Sequence, residues 1–168
     1  MPRISPLVSV IILNWKGKKF LHTCLSSLVQ ITNPRIEIIV VDNNSSDDSV
    51  SYMRKEFPKV NVIESSKNNG FAGGNNIGAG AALGQYLLFI NNDTKVTKDF
   101  LIPMIELCKR DAHVGCVQPE MRVMNHPDLL DEAGAYLTLS GFLYHYGYRK
   151  VHRLPMYQTT RVVFSAKG

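Results

Sequence analysis

Val8-Ser9-Val10-Ile11-Ile12-Leu13, closed by Asn14, is a short run of mostly branched apolar residues that ends on a polar side chain. A run of this length, rich in Val and Ile, reads as a strand covered on both faces. The pattern recurs where Ile36–Val41 meets Asp42-Asn43-Asn44 and where Tyr86–Ile90 meets Asn91-Asn92-Asp93. Helical spacing separates the runs. Lys18–Gln30 sets Phe20, Leu21, Cys24, Leu25 and Leu28 at helical intervals, and a second helix starts at Ser46 or Asp47 and runs through Phe57, with Pro58 as its stop. Val60–Ile63 is a further strand, Asn75–Leu83 a helix of small residues, and Asp99–Arg110 a helix behind an acidic cap. The order is βαβαβαβ. A parallel return needs a helix-length connection, so this order predicts an open, mostly parallel α/β sheet with right-handed crossovers. After a strand expected at Val114–Gln118, Pro119, Pro127, Gly134, Gly141 and Gly147 break the chain into hairpins or an irregular extension.

Composition fits that fold. At 168 residues, 45% hydrophobic and 20% charged, the chain is long enough to bury one sizeable core. A single domain over 1–168 is expected, with its α/β part at 7–118 and an extension at 119–168. Cys24, Cys108 and Cys116 have neither pairing nor ligand spacing, so they read as reduced, structural thiols. The five histidines are likewise not set at ligand spacing. No apolar run approaches the roughly 20 residues of a membrane span, and no secretory leader is visible, so a cytoplasmic location is expected. Net charge is +5, yet residues 1–132 hold 14 basic and 14 acidic side chains, so the excess lies wholly in the last 36 residues. That distribution lacks the footprint of a nucleic-acid binder. The basic tail of Arg149, Lys150, Arg153, Arg161 and Lys167 could pair with acidic groups elsewhere, attract an anionic lipid-linked acceptor, or stay solvated. Tyr144, Tyr146 and Tyr148 alternate as a sugar platform or as a packed hairpin face.

In an open parallel sheet, ligands bind outside the carboxyl ends of the strands, so the three polar strand ends should line one cleft. Asn14-Trp15-Lys16-Gly17 does not fit the dinucleotide fingerprint, and no GxxxxGK[ST] loop is present. Gly78-Ala79-Gly80 reads as a site of close packing. Asn68 through Gly78 enters a helix with glycines and side-chain amides, which suits either a diphosphate cradle or a linking loop. Asp93 could share a divalent ion with phosphates, because Mg²⁺ and Mn²⁺ prefer oxygen ligands; it could equally cap a helix.

Together these four ordered motifs resemble the family 2 glycosyltransferases, which have the GT-A fold, and especially their rhamnosyltransferase-like branch. The resemblance covers roughly residues 7–118. It implies a three-layer α/β/α sheet with helices on both faces, and transfer of a sugar from a nucleoside-diphosphate sugar, dTDP-rhamnose or a UDP-sugar, to an acceptor hydroxyl. By position, Leu13, Asn14 and Trp15 border the nucleoside, Asp42 and its neighbour Asn43 meet the pyrimidine base, and Gly73, Gly74 and Asn76 shape the donor pocket. Asn91-Asn92-Asp93 takes the place of the family's DxD motif, with Asp93 as ligand of Mg²⁺ or Mn²⁺. Asn91 replaces the first acid of that motif, and Lys16 stands where many relatives have Asn.

The resemblance also implies a glycan or lipid-linked acceptor, a role in surface polysaccharide assembly with inversion, and peripheral membrane association at the inner face. Val162 through Gly168 resembles the segment that leads into the acceptor-side half of the family. The catalytic base is therefore expected beyond Gly168, and Asp128, Asp131 and Glu132 match no family base. The 168 residues are expected to bind donor and to transfer poorly. The rival readings are a nucleotidyltransferase, whose Gly-rich basic loop is missing, and a non-catalytic sugar-nucleotide-binding module.

Overall fold

A computed structural model of the chain describes residues 6–31 and 34–163. The described residues fall into two compact units, one running through Leu101 and the other from Ile102. Val114–Gln118 is not a strand, and no strand among the described residues pairs with it. Phe164 through Gly168, including Lys167, lie outside the described residues.

The first unit holds β1 (Leu7–Asn14), α1 (Lys18–Leu28), β2 (Arg35–Asp42), α2 (Ser49–Glu56), β3 (Asn61–Glu64), α3 (Gly70–Gly80) and β4 (Tyr86–Asn91). The strands form one parallel sheet in the order β3-β2-β1-β4. The chain steps outward from β1 to β3 and then crosses back to β4. Right-handed crossovers in opposite directions put α1 and α2 on one face and α3 on the other, which is the three-layer α/β arrangement. The direction reverses between β1 and β4, where an open sheet has its binding crevice.

Val8, Val10, Ile11 and Ile12 of β1 and Ile39, Val40 and Val41 of β2 are buried, as strands covered on both faces require. Helix α1 contributes Leu21, Cys24, Leu25 and Leu28 to the core. Each fully buried leucine is worth roughly 1.5–3 kcal/mol over an exposed one. Phe20 instead faces solvent beneath the Lys19 ammonium.

Helix α3 begins five residues earlier than its composition predicts, at Gly70 rather than Asn75. Glycine costs about 1 kcal/mol per helical residue, but here tertiary packing wins. A Cβ on Gly74 would stand 2.2 Å from Leu13 Cδ1, and one on Gly78 would stand 2.5 Å from Ile11 Cγ2. The glycines let the helix backbone lie directly on β1. Loop hydrogen bonds set the start: the Asn69 N–H donates to Asn43 Oδ1 at 2.8 Å, and the Gly70 N–H donates to Asn68 Oδ1 at 2.8 Å.

From residue 101 the chain forms α4 (Leu101–Arg110), then β5 (Met121–Val123) paired antiparallel with β6 (His126–Glu132), and β7 (Ala135–Leu137) paired antiparallel with β8 (Leu143–His145). Pro103 is tolerated because it lies in the first turn of α4, where no intrahelical N–H bond is lost. The hairpins expected after residue 119 are these ribbons.

Candidate functional site

The site is built where β1, β2 and β4 end. Asn14 lies opposite Asp42, and Leu13 lies opposite Asn91, so register alone brings the three polar termini to one edge of the sheet. Their side chains join. Asn14 Nδ2 donates to Asp42 Oδ1 at 2.9 Å, and Asn92 Nδ2 donates to Asn14 Oδ1 at 2.9 Å. A chain of amides and a carboxylate therefore runs from the end of β2 through β1 to the turn after β4. Asn14 is fully buried and Asp42 is 3% exposed. A carboxylate this buried needs donors, and it has them: the Ser45 N–H donates to Asp42 Oδ2 at 2.8 Å.

Ser45 and Gly17 escaped the reading of the sequence. Ser45 Oγ accepts the Lys16 N–H at 2.9 Å and so ties the loop after β2 to the loop after β1. Both loops pass through left-handed backbone, with φ of 50° at Lys16 and 62° at Asn44. Such conformations cost energy at non-glycine residues and gather where a loop is held for a purpose. Gly17 sits over the Asn14–Asn92 bond: a Cβ there would meet Asn92 Nδ2 at 2.1 Å and Asn14 Oδ1 at 2.6 Å. The Asx-rich run Asp42-Asn43-Asn44-Ser45 was a visible turn signal for Ser45. Nothing in the sequence marked Gly17.

Asn43, also buried, works in the other direction. Its N–H donates to Asn14 O at 2.8 Å, while Nδ2 donates to Asn68 Oδ1 at 2.8 Å and to Gly70 O at 3.1 Å. It latches the loop that launches α3. Of the glycine-rich group, Gly74 packs on Leu13, Gly73 lies on the same helix, and Asn76 is exposed there. These residues stand in a helix packed on the sheet. Trp15 is exposed, with Lys16 Nζ 5.3 Å from its ring centroid.

Asn91, Asn92 and Asp93 make a short turn in which the Thr94 N–H donates to Asn91 O at 3.2 Å. The Asp93 carboxylate is exposed and has no hydrogen bond or ion pair among the described residues. No group of three His, Cys, Asp or Glu side chains that could hold a metal occurs among the described residues. A lone open carboxylate does not make a protein cage for an ion. It does fit Mg²⁺ or Mn²⁺ completed by phosphate oxygens and water.

Beneath this turn, Cys24 Sγ approaches Asn91 O at 3.9 Å. Burial, reinforced by the negative charge of Asp93, pushes the Cys24 thiol up to about 12. The thiolate fraction at pH 8 is then on the order of one in ten thousand. In iodoacetamide labelling of the folded chain at pH 8, exposed Cys116 should react first and Cys24 only after unfolding. Labelling of Cys24 at the rate of Cys116 would contradict this placement.

Beside the network lies an open hollow of about 720 Å³, bounded by Asp42, Asn44, Ser45, Arg54, Glu64 and Ser65 among others. Ser65 Oγ is buried there without a hydrogen-bond partner among the described residues. Asp93 is not part of this lining. In the second unit, Glu132 is buried with Oε1 3.2 Å from His145 Nδ1, and Asp128 accepts from Arg153 Nη2 at 3.0 Å.

Comparison with known proteins gives this geometry its relatives. The pattern described as glycosyl transferase family 2 matches residues 9–160. An uncharacterized glycosyltransferase of Haemophilus influenzae is 30% identical over 135 residues, covering 79% of this chain and 43% of that protein. A poly(ribitol-phosphate) beta-glucosyltransferase of Bacillus spizizenii is 31% identical over 110 residues, covering 62% of this chain and 17% of that protein. The chain thus spans less than half the length of these relatives. Among solved structures, the mannosyltransferase PcManGT of Pyrobaculum calidifontis, in complex with GDP-Man and Mn²⁺, superposes with a TM-score of 0.61 at 24% identity over 70% of this chain and 37% of that one. Residues 1–349 of S. aureus TarS, in complex with UDP-GlcNAc, superpose with a TM-score of 0.56 at 24% identity over 71% of this chain and 41% of that one. At that identity the structures speak for the fold alone, while the family pattern runs through both units and includes every strand end that meets at the rim of the sheet. The chain belongs to glycosyl transferase family 2.

Proposed function

We propose that this chain is the donor-binding part of a glycosyltransferase that moves a sugar from a pyrimidine nucleoside-diphosphate sugar, a UDP-sugar or dTDP-rhamnose, to an acceptor hydroxyl. The observation that carries the reading is the Asp42–Asn14–Asn92 chain of hydrogen bonds, which holds three strand ends as one rim at the sheet's switch point. The hollow beside Asp42 has the volume of a small-ligand site. Asn43 fixes the start of α3, so Gly73, Gly74 and Asn76 are presented at a defined distance from the rim.

Asp93 would hold Mg²⁺ or Mn²⁺ together with the donor's diphosphate, and the ion's contribution when bound is to neutralise charge on the departing diphosphate. The chain's own part is positional. Asn92, tied to Asn14, orients the turn that carries Asp93, and Gly17 leaves room for that tie. The Mn²⁺ named in the PcManGT complex supports a metal-assisted donor site. We place the base that takes the acceptor's proton after Gly168, because Asp128 is paired with Arg153, Glu132 is buried beside His145, and neither matches the family's base position. Inversion follows if that base delivers the acceptor to the face opposite the diphosphate. A poly(ribitol-phosphate) beta-glucosyltransferase and a putative teichuronic acid biosynthesis glycosyltransferase of Bacillus subtilis among the relatives support an acceptor in a surface polysaccharide.

Calorimetric titration with UDP-glucose, UDP-GlcNAc, dTDP-rhamnose and GDP-mannose, each with and without Mn²⁺, tests the proposal. The expected result is binding of one pyrimidine donor, strengthened about tenfold or more by Mn²⁺, with the gain lost in Asp93→Asn. Binding indifferent to both metal and Asp93 would make the chain a carbohydrate-nucleotide module instead.

A further inference from the structure

The wall of the hollow beside Asp42 carries a charged pair that the rim does not use. Arg54, in the last turn of α2, donates through Nη2 to Glu64 Oε1 at 2.5 Å. Glu64 is the last residue of β3 and lies in register beside Asp42, so the pair stands one strand away from the hydrogen-bonded rim. Both side chains line the same hollow, and they are 61% and 51% exposed. An ion pair this open adds little to stability.

The other charged groups of that lining are engaged elsewhere. Asp42 is 3% exposed, and its two oxygens accept from Asn14 Nδ2 and from the Ser45 N–H. Little of that carboxylate is left to meet a ligand. Asp47 accepts from the Ser49 N–H at 3.2 Å, Asp48 is paired with Lys18, and Lys55 is paired with Glu56. Among the described residues Arg54 and Glu64 are joined only to each other. Glu64 Oε2 and the rest of the Arg54 guanidinium therefore keep a free acceptor and free donors side by side.

A donor next to an acceptor is complementary to a lactam, in which a ring N–H adjoins a carbonyl. Uracil and thymine present that edge as N3–H beside O4, and guanine presents it as N1–H beside O6. Cytosine and adenine put a bare ring nitrogen in the same place. Against them Glu64 would set acceptor against acceptor, and a polar group left without its partner costs binding.

We propose that Arg54 and Glu64 are the specificity-determining pair of the nucleotide site. Glu64 accepts the ring N–H of a lactam base, Arg54 donates to the adjoining carbonyl, and Asp42 braces the rim rather than reading the base. The inference rests on the donor-binding reading above. It moves base selection from the end of β2 to the end of β3 and the last turn of α2.

Calorimetric titration of the 168-residue chain with UDP, GDP, CDP and ADP in the presence of Mn²⁺ tests it. The expected result is UDP binding at least about tenfold tighter than CDP, with ADP rejected as CDP is. Glu64→Gln, whose amide can turn a donor toward a bare ring nitrogen, should lower the UDP-to-CDP ratio about tenfold. Arg54→Ala should weaken UDP about tenfold, while Lys55→Ala, which removes the same charge from the same hollow, should change it less than about threefold. All three positions are exposed, so the melting midpoints should stay within about 2 °C of the parent chain. GDP binding tighter than UDP would support the pair and replace the pyrimidine by guanine. Equal binding of UDP and CDP overturns the proposal and leaves the donor reading standing. So does a fall in UDP affinity with the UDP-to-CDP ratio unmoved by Glu64→Gln, which would make the pair structural. A chain that binds none of the four nucleotides overturns both readings.

Discussion

Asn14→Ala is expected to lower the stability of the chain by about 2–4 kcal/mol, because it removes a donor from a buried carboxylate and the acceptor of a second bond. Asn14 is fully buried, and its Nδ2 is one of the two groups that donate to Asp42 across the sheet edge. Without it, Asp42 keeps only the Ser45 N–H and remains too enclosed for water to replace the loss. The melting midpoint should fall by about 5–15 °C, at roughly 2–4 °C per kcal/mol for a chain of this size. Asn92→Ala provides the comparison. It removes only the outer bond, at a half-buried side chain, and should cost about 1 kcal/mol or less. If donor binding depends on the rim, both variants should weaken it at least about tenfold while differing in stability. Equal melting midpoints for the two would mean that the Asp42–Asn14 bond does not brace the site.

This asymmetry also explains what the sequence disclosed. Strands β1 and β2 were legible because residues buried on both faces leave nearly uninterrupted Val and Ile runs, and the polar residue that ends each run marks the carboxyl edge of the sheet. The convergence of Asn14, Asp42 and Asn92 followed from topology, since parallel strands with helical crossovers must end on one edge. How the three pair did not. Asp42 reads equally well as a residue facing a ligand and as one saturated by its neighbours, and only register shows Asn14 directly opposite it. Gly17 was silent because its role is an absence of volume over a hydrogen bond between residues that are 78 positions apart in sequence. The start of α3 was misjudged for a related reason. Glycine and asparagine weigh against a helix by propensity, and the compensating contact lies on β1, more than fifty residues away in the chain.

That contact carries the second large effect. Gly78→Val should destabilise the chain by about 3 kcal/mol and lower its melting midpoint on the order of 10 °C. The new Cβ would lie 2.5 Å from Ile11 Cγ2 and 3.2 Å from Val41 Cγ2. Neither neighbour is the free end of a flexible chain. Both are β-branched, stiff at χ1, and buried in the two central strands, so relief requires α3 to lift from the sheet. Lifting α3 strains the Asn43 latch at its start, which extends the damage to the rim. Gly80→Ala, two residues on in the same helix, is the counter-test. Nothing lies within 4 Å of its Cβ position, so the only change is the gain in helix propensity, and the variant should be more stable by up to about 1 kcal/mol. Opposite signs at two glycines of one helix are what close helix–sheet packing requires, and thermal melts of the two variants measure it directly. If Gly78→Val and Gly80→Ala shifted the midpoint in the same direction by similar amounts, α3 would not be seated on β1 through its glycines.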